Sequence, residues 1–234
     1  AGVRAEAAIG LSLGEYSALA AAGALDFATA VRLVHERGKS MYAAYPADAG
    51  AVAVVLGLER DMVQAICEEE SRTDSFVQAS NFNCPGQIVI AGDKAAVEHA
   101  SDALITAGAK RIIPLAVSAP FHTRLLRPAG AIFAPLLRAA SWQIPKLTVI
   151  SNVDASIYQS IEQMQELLER QVSEPIEFAA GIKRLLDEGF THFLEVGPAA
   201  AWAPWSKGYL AKQSFTKPQR QIKLAVWRSR FRER

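Results

Sequence analysis

The stretch that most constrains the fold is the pentapeptide Gly-Leu-Ser-Leu-Gly at residues 10–14. A mostly small and apolar run at 5–9 precedes it, and an alanine-rich run at 17–22 follows it. A strand, a tight turn and a helix in this order lift a serine hydroxyl out of the backbone, above a helix N-terminus that favours negative charge. The turn is too crowded for side chains at the two glycines. The pattern predicts either a nucleophilic Ser12 or an ordinary glycine-serine turn.

The composition argues against a charged polymer or a lipid surface as partner. The 234 residues include 25 Lys and Arg against 24 Asp and Glu, so we expect no nucleic-acid binding. No apolar run approaches the roughly 20 residues that span a bilayer, so we expect no membrane partner. Cys67 and Cys84 form neither a disulfide framework nor a zinc pattern. We therefore expect a reduced, cytoplasmic protein that binds no metal.

A helix is predicted over 27–44, because apolar residues recur there about once per turn. Asp26 is placed to cap its N-terminus. Arg37 lies in its middle, among other charged residues. Such a charge is usually solvated, so the pattern alone leaves Arg37 as either a surface charge or a binding group.

The next segment, 49–116, is predicted to form a small inserted subdomain. Periodicity predicts strands at 51–56, 75–80, 87–91 and 111–117 and helices at 61–70 and 94–107. This βαββαβ order is that of a ferredoxin-like unit, with two helices on one face of an antiparallel sheet. Asn-Phe-Asn-Cys-Pro-Gly-Gln at 81–87 predicts a tight turn between the central strands. Its asparagines either only shape this hairpin or face a site.

Beyond the insert, Ser-Ala-Pro-Phe-His at 118–122 ends a strand at a loop, where catalytic groups are often found. His122 is either a structural histidine or the base for Ser12, which it follows in the chain as in α/β-hydrolase-like enzymes. Helices are predicted at 124–140, 161–172 and 178–188, and strands at 147–151 and 190–196. Two prolines should kink or divide the first helix. The alternation predicts an α/β fold with a mostly parallel sheet between helices.

Six motifs, in order and at matching spacing, resemble those of bacterial malonyl-CoA:acyl carrier protein transacylases. They are Gly-Leu-Ser-Leu-Gly-Glu-Tyr-Ser-Ala-Leu at 10–19, Val-Arg-Leu-Val-x-x-Arg-Gly at 31–38, Asn-Phe-Asn-x-Pro-Gly-Gln at 81–87, Ser-Ala-Pro-Phe-His at 118–122, Ser-Asn-Val-Asp at 151–154 and Glu-Val-Gly-Pro at 195–198. The resemblance implies an α/β-hydrolase-like large subdomain, formed by 1–48 and 117–198, around the ferredoxin-like insert at 49–116.

The resemblance also implies the roles of the reacting groups. Ser12 would take the malonyl group as an ester, and His122 would remove its proton and later activate the carrier thiol. Gln171 would orient His122 through a backbone or side-chain oxygen. The backbone N–H of Leu13 would be one oxyanion donor.

Specificity is implied in the same way. Arg37 would bind the free carboxylate of malonate, since a guanidinium binds carboxylates bidentately. Phe121 would crowd out a 2-methyl branch, and Asn81 would contact substrate. The implied substrate and partner are malonyl-CoA and acyl carrier protein, with no cofactor, in fatty acid biosynthesis. A polyketide synthase acyltransferase domain, a serine esterase and an inactive truncated remnant are the alternatives.

Three departures from the family pattern stand beside this resemblance. Leu11 replaces a common histidine, which should alter packing and not chemistry. An N-terminal strand and Gly-Gln-Gly-Ser-Gln loop, whose glutamine N–H supplies the other oxyanion donor, have no counterpart in this chain. The basic stretch 199–234 departs from the family's C-terminal helix. We expect a frameshift there, with a genuine basic tail for an acidic partner as the alternative.

Overall fold

The structure is a computed structural model that describes residues 5–117, 119–190 and 192–196 and the backbone of 223–227. Its strands form two separate sheets of four strands each. None of the helices within the described ranges is long and apolar enough to cross a membrane.

The larger sheet belongs to a subdomain with strands β1 Ala5–Gly10, β6 Thr148–Val149, β7 His192–Val196 and β8 Lys223–Trp227, and helices α1 Leu13–Ala21, α2 Phe27–Ala43, α5 Arg127–Ala139, α6 Ile161–Arg170 and α7 Phe178–Asp187. The sheet is parallel, as predicted, with strand order β6-β1-β8-β7. Its strand β1 is buried on both faces: Ala8 belongs to one core cluster, and Ala7 and Ile9 to another. Side chains of α1, α2, α5 and α6 pack on one face of β1, and those of α7 on the other.

The smaller sheet is formed by β2 Gly50–Leu56, β3 Val77–Cys84, β4 Gln87–Asp93 and β5 Arg111–Pro114, with helices α3 Arg60–Glu70 and α4 Lys94–Thr106. It is antiparallel and has the order β3-β4-β2-β5. Apolar side chains of both helices pack against one face of the sheet, among them Val63 and Leu104. The ferredoxin-like βαββαβ arrangement is therefore confirmed.

The predicted turn at 81–87 is wrong in extent. Strand β3 continues to Cys84, and only Pro85 and Gly86 form the turn. The asparagine-rich stretch is extended because it pairs on both sides: with β4 along the sheet and with Ile176 through backbone hydrogen bonds of Ser80 and Phe82. Pairing on both edges outweighs the low strand propensity of asparagine.

Other boundaries also differ from the sequence predictions. A short 3₁₀ helix, Arg124–Leu126, precedes α5, so the predicted helix over 124–140 is divided. Pro128 lies in the first turn of α5, where a missing N–H costs nothing, and Pro135 lies inside the helix. The predicted strand at 147–151 is reduced to the two residues of β6.

The C-terminal prediction falls mostly outside the described residues, which omit 197–222 and 228–234. The backbone of Lys223–Trp227 forms β8, parallel to β1 and β7 and between them. The sequence analysis predicted no strand in this stretch. The frameshift itself stays a prediction.

Gly10, the last residue of β1, is the glycine whose replacement should disturb this fold most. A Cβ at Gly10 would lie 2.0 Å from the backbone oxygen of Gly14, whereas a Cβ at Gly38, inside α2, would meet nothing within 4 Å. We expect Gly10→Ala to destabilise the protein by about 2 kcal/mol or more. Gly38→Ala should stabilise it by about 0.5–1 kcal/mol, because alanine favours helix. Thermal unfolding followed by circular dichroism measures both, and equal melting of the two variants would contradict this view of the turn.

Candidate active site

The site is centred on Ser12, which joins β1 to α1. Its backbone has φ 53° and ψ −107°, a conformation that is strained for a non-glycine residue. The strand and the helix lie close together at this turn, since a Cβ at Gly10 would be 2.0 Å from the backbone oxygen of Gly14. The turn thus holds the Ser12 side chain at the N-terminus of α1, as the sequence predicted.

Asn152, which follows β6, the strand next to β1, holds this turn by two hydrogen bonds. We call this pair of hydrogen bonds the clamp. The Asn152 side-chain oxygen accepts a hydrogen bond from Ser12 N–H at 2.6 Å, and its amide nitrogen donates to Gly10 O at 2.8 Å. Asn152 is fully buried. The sequence analysis assigned it no role, although it follows a strand parallel to β1, and the carboxyl ends of neighbouring parallel strands lie together.

His122 lies beside the serine hydroxyl. Its Nε2 is 2.7 Å from Ser12 Oγ, and its Nδ1 is 2.7 Å from the backbone oxygen of Gln171. Because a carbonyl only accepts, Nδ1 carries the proton and Nε2 is left to accept from the hydroxyl. Burial, together with the Arg37 charge, lowers the pKa of His122 from 6.5 to about 3. The imidazole is therefore neutral at pH 7, as a base must be.

Gln171 caps the C-terminus of α6 and is fully buried. Besides its carbonyl contact with His122, its Oε1 accepts from Arg37 at 2.9 Å and its Nε2 donates to the backbone oxygen of Ser12 at 3.0 Å. Of the two orienting oxygens that the sequence analysis left open, the backbone oxygen is the one that contacts the histidine.

Arg37 is buried, not a solvated charge on the face of α2. One terminal nitrogen donates to both Ser12 Oγ, at 3.0 Å, and Gln171 Oε1. The guanidinium lies 5.8 Å from the ring centroid of Tyr16, and its Nε has no partner among the described residues. Burial lowers the pKa of Arg37, yet a guanidinium stays charged in proteins. A fixed cation with an unused donor thus lies against the serine hydroxyl.

The remaining predicted site residues are Leu13, Phe121 and Asn81. Leu13 is the first residue of α1, where a backbone N–H has no acceptor within the helix. Phe121, next to His122 in the chain, packs edge-on against Tyr42 with ring centroids 5.8 Å apart. Asn81 lies in β3 and its side chain accepts from the Ser80 hydroxyl, so no described hydrogen bond joins it to the serine or histidine.

Glu15 is the second residue that the sequence analysis missed. Its carboxylate is buried and accepts from the Tyr158 hydroxyl at 2.5 Å, Gln171 Nε2 at 2.5 Å and Asn152 N–H at 3.0 Å. Burial raises its pKa from 4.5 to about 7, against the opposing effect of these hydrogen bonds and of Arg37. The available signal was its position one helical turn after Ser12, inside the same motif.

These groups define a class of protein: an α/β fold with a strained serine at a strand–helix turn, a neutral histidine beside its hydroxyl and a buried cation next to both. Among the described residues, no three His, Cys, Asp or Glu side chains are grouped as a metal site requires. A family comparison agrees with this class. Residues 1–209 match the acyl transferase domain, and the chain belongs to that family.

Individual relatives show which members of this family the chain is similar to. The chain is 40% identical over 190 residues to the malonyl CoA-acyl carrier protein transacylase of Staphylococcus aureus (strain MRSA252), covering 81% of this chain and 62% of the relative. It is 42% identical over 197 residues to that of Bacillus subtilis (strain 168), covering 84% and 62%. The chain thus spans less than two thirds of these relatives. A malonyl-transacylase solved with a type II PKS acyl-carrier protein is 38% identical with a TM-score of 0.86, over 96% of this chain and 70% of that one.

The clamp leads to a prediction for Asn152→Ala. The change leaves Ser12 N–H and Gly10 O without their side-chain partner, at about 1–3 kcal/mol for each buried group. We expect a lower melting temperature and at least tenfold slower labelling of Ser12 by a fluorophosphonate probe, read by mass spectrometry. Gln165→Ala, which removes one long hydrogen bond of 3.4 Å to Leu137, is the control and should label at the wild-type rate. Unchanged labelling in Asn152→Ala would contradict the clamp.

The raised pKa of Glu15 predicts a pH-dependent stability. Between its ordinary value of 4.5 and about 7, the unfolded chain has lost this proton while the folded chain keeps it. The free energy of unfolding should therefore fall as pH rises through this window, by about 3 kcal/mol in total. Glu15→Gln removes the titration, so its stability relative to wild type should increase from pH 5 to pH 8. Denaturant unfolding at several pH values measures this, and a pH-independent difference would count against it.

Proposed function

We propose that the chain transfers the malonyl group from malonyl-CoA to the phosphopantetheine thiol of acyl carrier protein through an ester on Ser12. The observation that carries this proposal is the position of Arg37, a buried cation 3.0 Å from the Ser12 hydroxyl that faces His122. The named relatives, two malonyl CoA-acyl carrier protein transacylases, support the same substrate pair. Because the chain spans only 62% of their length, the activity of the whole protein is part of the proposal.

In the first half-reaction, Ser12 Oγ attacks the thioester carbonyl while His122 Nε2 takes the hydroxyl proton. The Leu13 N–H at the start of α1 donates to the oxyanion that forms. The tetrahedral intermediate then expels the CoA thiolate, which takes the proton back from His122. The products are free CoA and the malonyl ester of Ser12.

In the second half-reaction, the carrier thiol gives its proton to His122 and attacks the ester carbonyl. Ser12 Oγ leaves and recovers the proton, and the carrier departs as a malonyl thioester. The Gln171 carbonyl keeps Nδ1 protonated throughout and stabilises the imidazolium formed in each half-reaction. Atoms and charges balance over the two steps without any further reagent.

Selectivity follows from Arg37. The carboxylate of malonate would accept from the guanidinium edge that includes the unpartnered Nε, and acetyl has no group to do so. Phe121 would disfavour a methyl branch, and this selectivity is small because one methyl group changes binding by about 1–3 kcal/mol. Asn81 would contact the substrate from β3, in the smaller subdomain.

Two wider expectations belong to this proposal. The pathway is fatty acid biosynthesis, although the neighbour solved with a polyketide carrier makes transfer to such a carrier the second candidate. Assays with both kinds of carrier protein distinguish the two. The location is the cytoplasm, which agrees with the free thiols of Cys67 and Cys84.

The test is covalent loading by malonyl-CoA. Incubation followed by intact-mass and peptide analysis should show a malonyl adduct on Ser12 that Ser12→Ala abolishes. Arg37→Ala should lower malonyl loading by about 100-fold or more, through loss of a charge-assisted pair, and bring it near the acetyl rate. Arg32→Ala removes an exposed arginine of the same helix and should load as wild type. Equal malonyl and acetyl loading by the wild type would refute the role of Arg37, and release of malonate to water faster than to carrier would indicate an esterase.

A further inference from the structure

Above its raised pKa of about 7, the Glu15 carboxylate is a buried charge that contacts none of the reacting groups directly. It receives hydrogen bonds from three separate segments: the Gln171 side chain, the Asn152 backbone and the Tyr158 hydroxyl. All three partners can donate, and an ionised carboxylate can only accept. Burying a carboxylate is costly, so a site that retains one gains something that a neutral residue would not supply.

The contact with Gln171 fixes which way its amide points. Because the Glu15 carboxylate accepts, the donor Nε2 must face it, and Oε1 must then face Arg37. With the amide reversed, Nε2 would face the guanidinium, donor against donor, and Oε1 would face the carboxylate, acceptor against acceptor. The backbone oxygen of Ser12 accepts from the same Nε2, so Glu15 and Ser12 O together keep Oε1 as an acceptor for Arg37.

The same carboxylate reaches the other two reacting groups through the backbone. Gln171 orients His122 with its carbonyl, and Asn152 holds the Ser12 turn with its side chain. Glu15 itself lies in the first turn of α1, so the helix that starts at the nucleophile also holds the residues that support it.

We propose that Glu15 is a positioning residue that acts with Ser12 O to set the amide orientation of Gln171 and, through that amide, the pose of Arg37 beside Ser12. The inference rests on the proposed function for its effect on malonyl selectivity. Its effect on the reactivity of Ser12 is independent of any CoA substrate.

The variant that tests this is Glu15→Gln, which keeps size and removes acceptor-only character. An amide at position 15 presents a donor to at least one of the three donors, and Gln171 can satisfy it only by reversing. We expect labelling of Ser12 by a fluorophosphonate to slow at least tenfold and the malonyl-to-acetyl loading ratio to fall at least fivefold. Glu15→Asp keeps a carboxylate and should recover part of both. Glu36→Gln, next to Arg37 but exposed to solvent and paired with Lys39, should change neither.

An exchange of the two side chains separates positioning from mere packing. Gln171→Glu alone sets two carboxylates against each other and should slow labelling more than Glu15→Gln does. In the double variant, which combines the two substitutions, the carboxylate at position 171 loses its donor to Ser12 O but can accept from both Arg37 and the new amide at position 15. The backbone carbonyl of position 171 still faces His122. Labelling should then exceed that of either single variant, while malonyl selectivity stays low because the new carboxylate occupies the guanidinium.

Each outcome decides the inference. Wild-type labelling and selectivity in folded Glu15→Gln would overturn it, as would a double variant no better than the worse single variant. If Glu15→Gln does not fold, the Glu15→Asp variant and the exchange carry the test. A wild type that labels at Ser12 but never loads malonyl would refute the proposed function and leave the positioning role standing on its labelling data.

Discussion

The hydrogen bonds of Gln171 are the interaction on which the site depends. This residue at the end of α6 contacts the backbone of Ser12, the ring of His122, the Arg37 guanidinium and the Glu15 carboxylate. Its backbone oxygen and its amide act at the same time, so the position of the helix end fixes His122 while the amide fixes Arg37. A helix C-terminus serves this purpose because its last carbonyls have no acceptor role within the helix.

Three buried groups, Arg37, Glu15 and His122, differ in charge and have different effects on the site. Above the Glu15 pKa of about 7, Arg37 and Glu15 carry opposite charges on either side of the Gln171 amide, and each charge favours the ionised form of the other without direct contact. His122 lies in the same buried region and stays neutral, because both burial and the arginine disfavour a second cation. A neutral base beside a fixed cation can accept a proton and still leave the arginine free for an anionic acyl group.

The sequence located the candidate reacting groups by two routes. Ser12, His122 and Arg37 occur in motifs, whereas Gln171 was assigned through the family resemblance alone. The structure brings the side chains or backbones of these four residues within hydrogen-bond distance. Periodicity also predicted both sheets. Asn152 and Glu15 also lie inside the motifs at 151–154 and 10–19, but they were assigned no role because they act through tertiary contacts that join segments about 140 residues apart. The turn at 81–87 was misjudged for the same reason, since its pairing with Ile176 is a long-range contact.

That pairing also connects the smaller subdomain to the nucleophile. Ile176 bonds to the backbone of Ser80 and Phe82 in β3, and the next residue, Glu177, donates its N–H to Asn152 O. Asn152 in turn holds Ser12. A displacement of the β3 edge would therefore move Ile176 and Glu177, and through them Asn152, which holds the Ser12 turn.

The bidentate Arg60–Glu177 pair also acts on this link. Its two hydrogen bonds are both 2.7 Å long. The pair is half-exposed and adds little stability by itself, but it fixes the position of Glu177. Backbone hydrogen bonds thus connect the smaller subdomain to the Ser12 turn, independently of any contact between its side chains and a substrate.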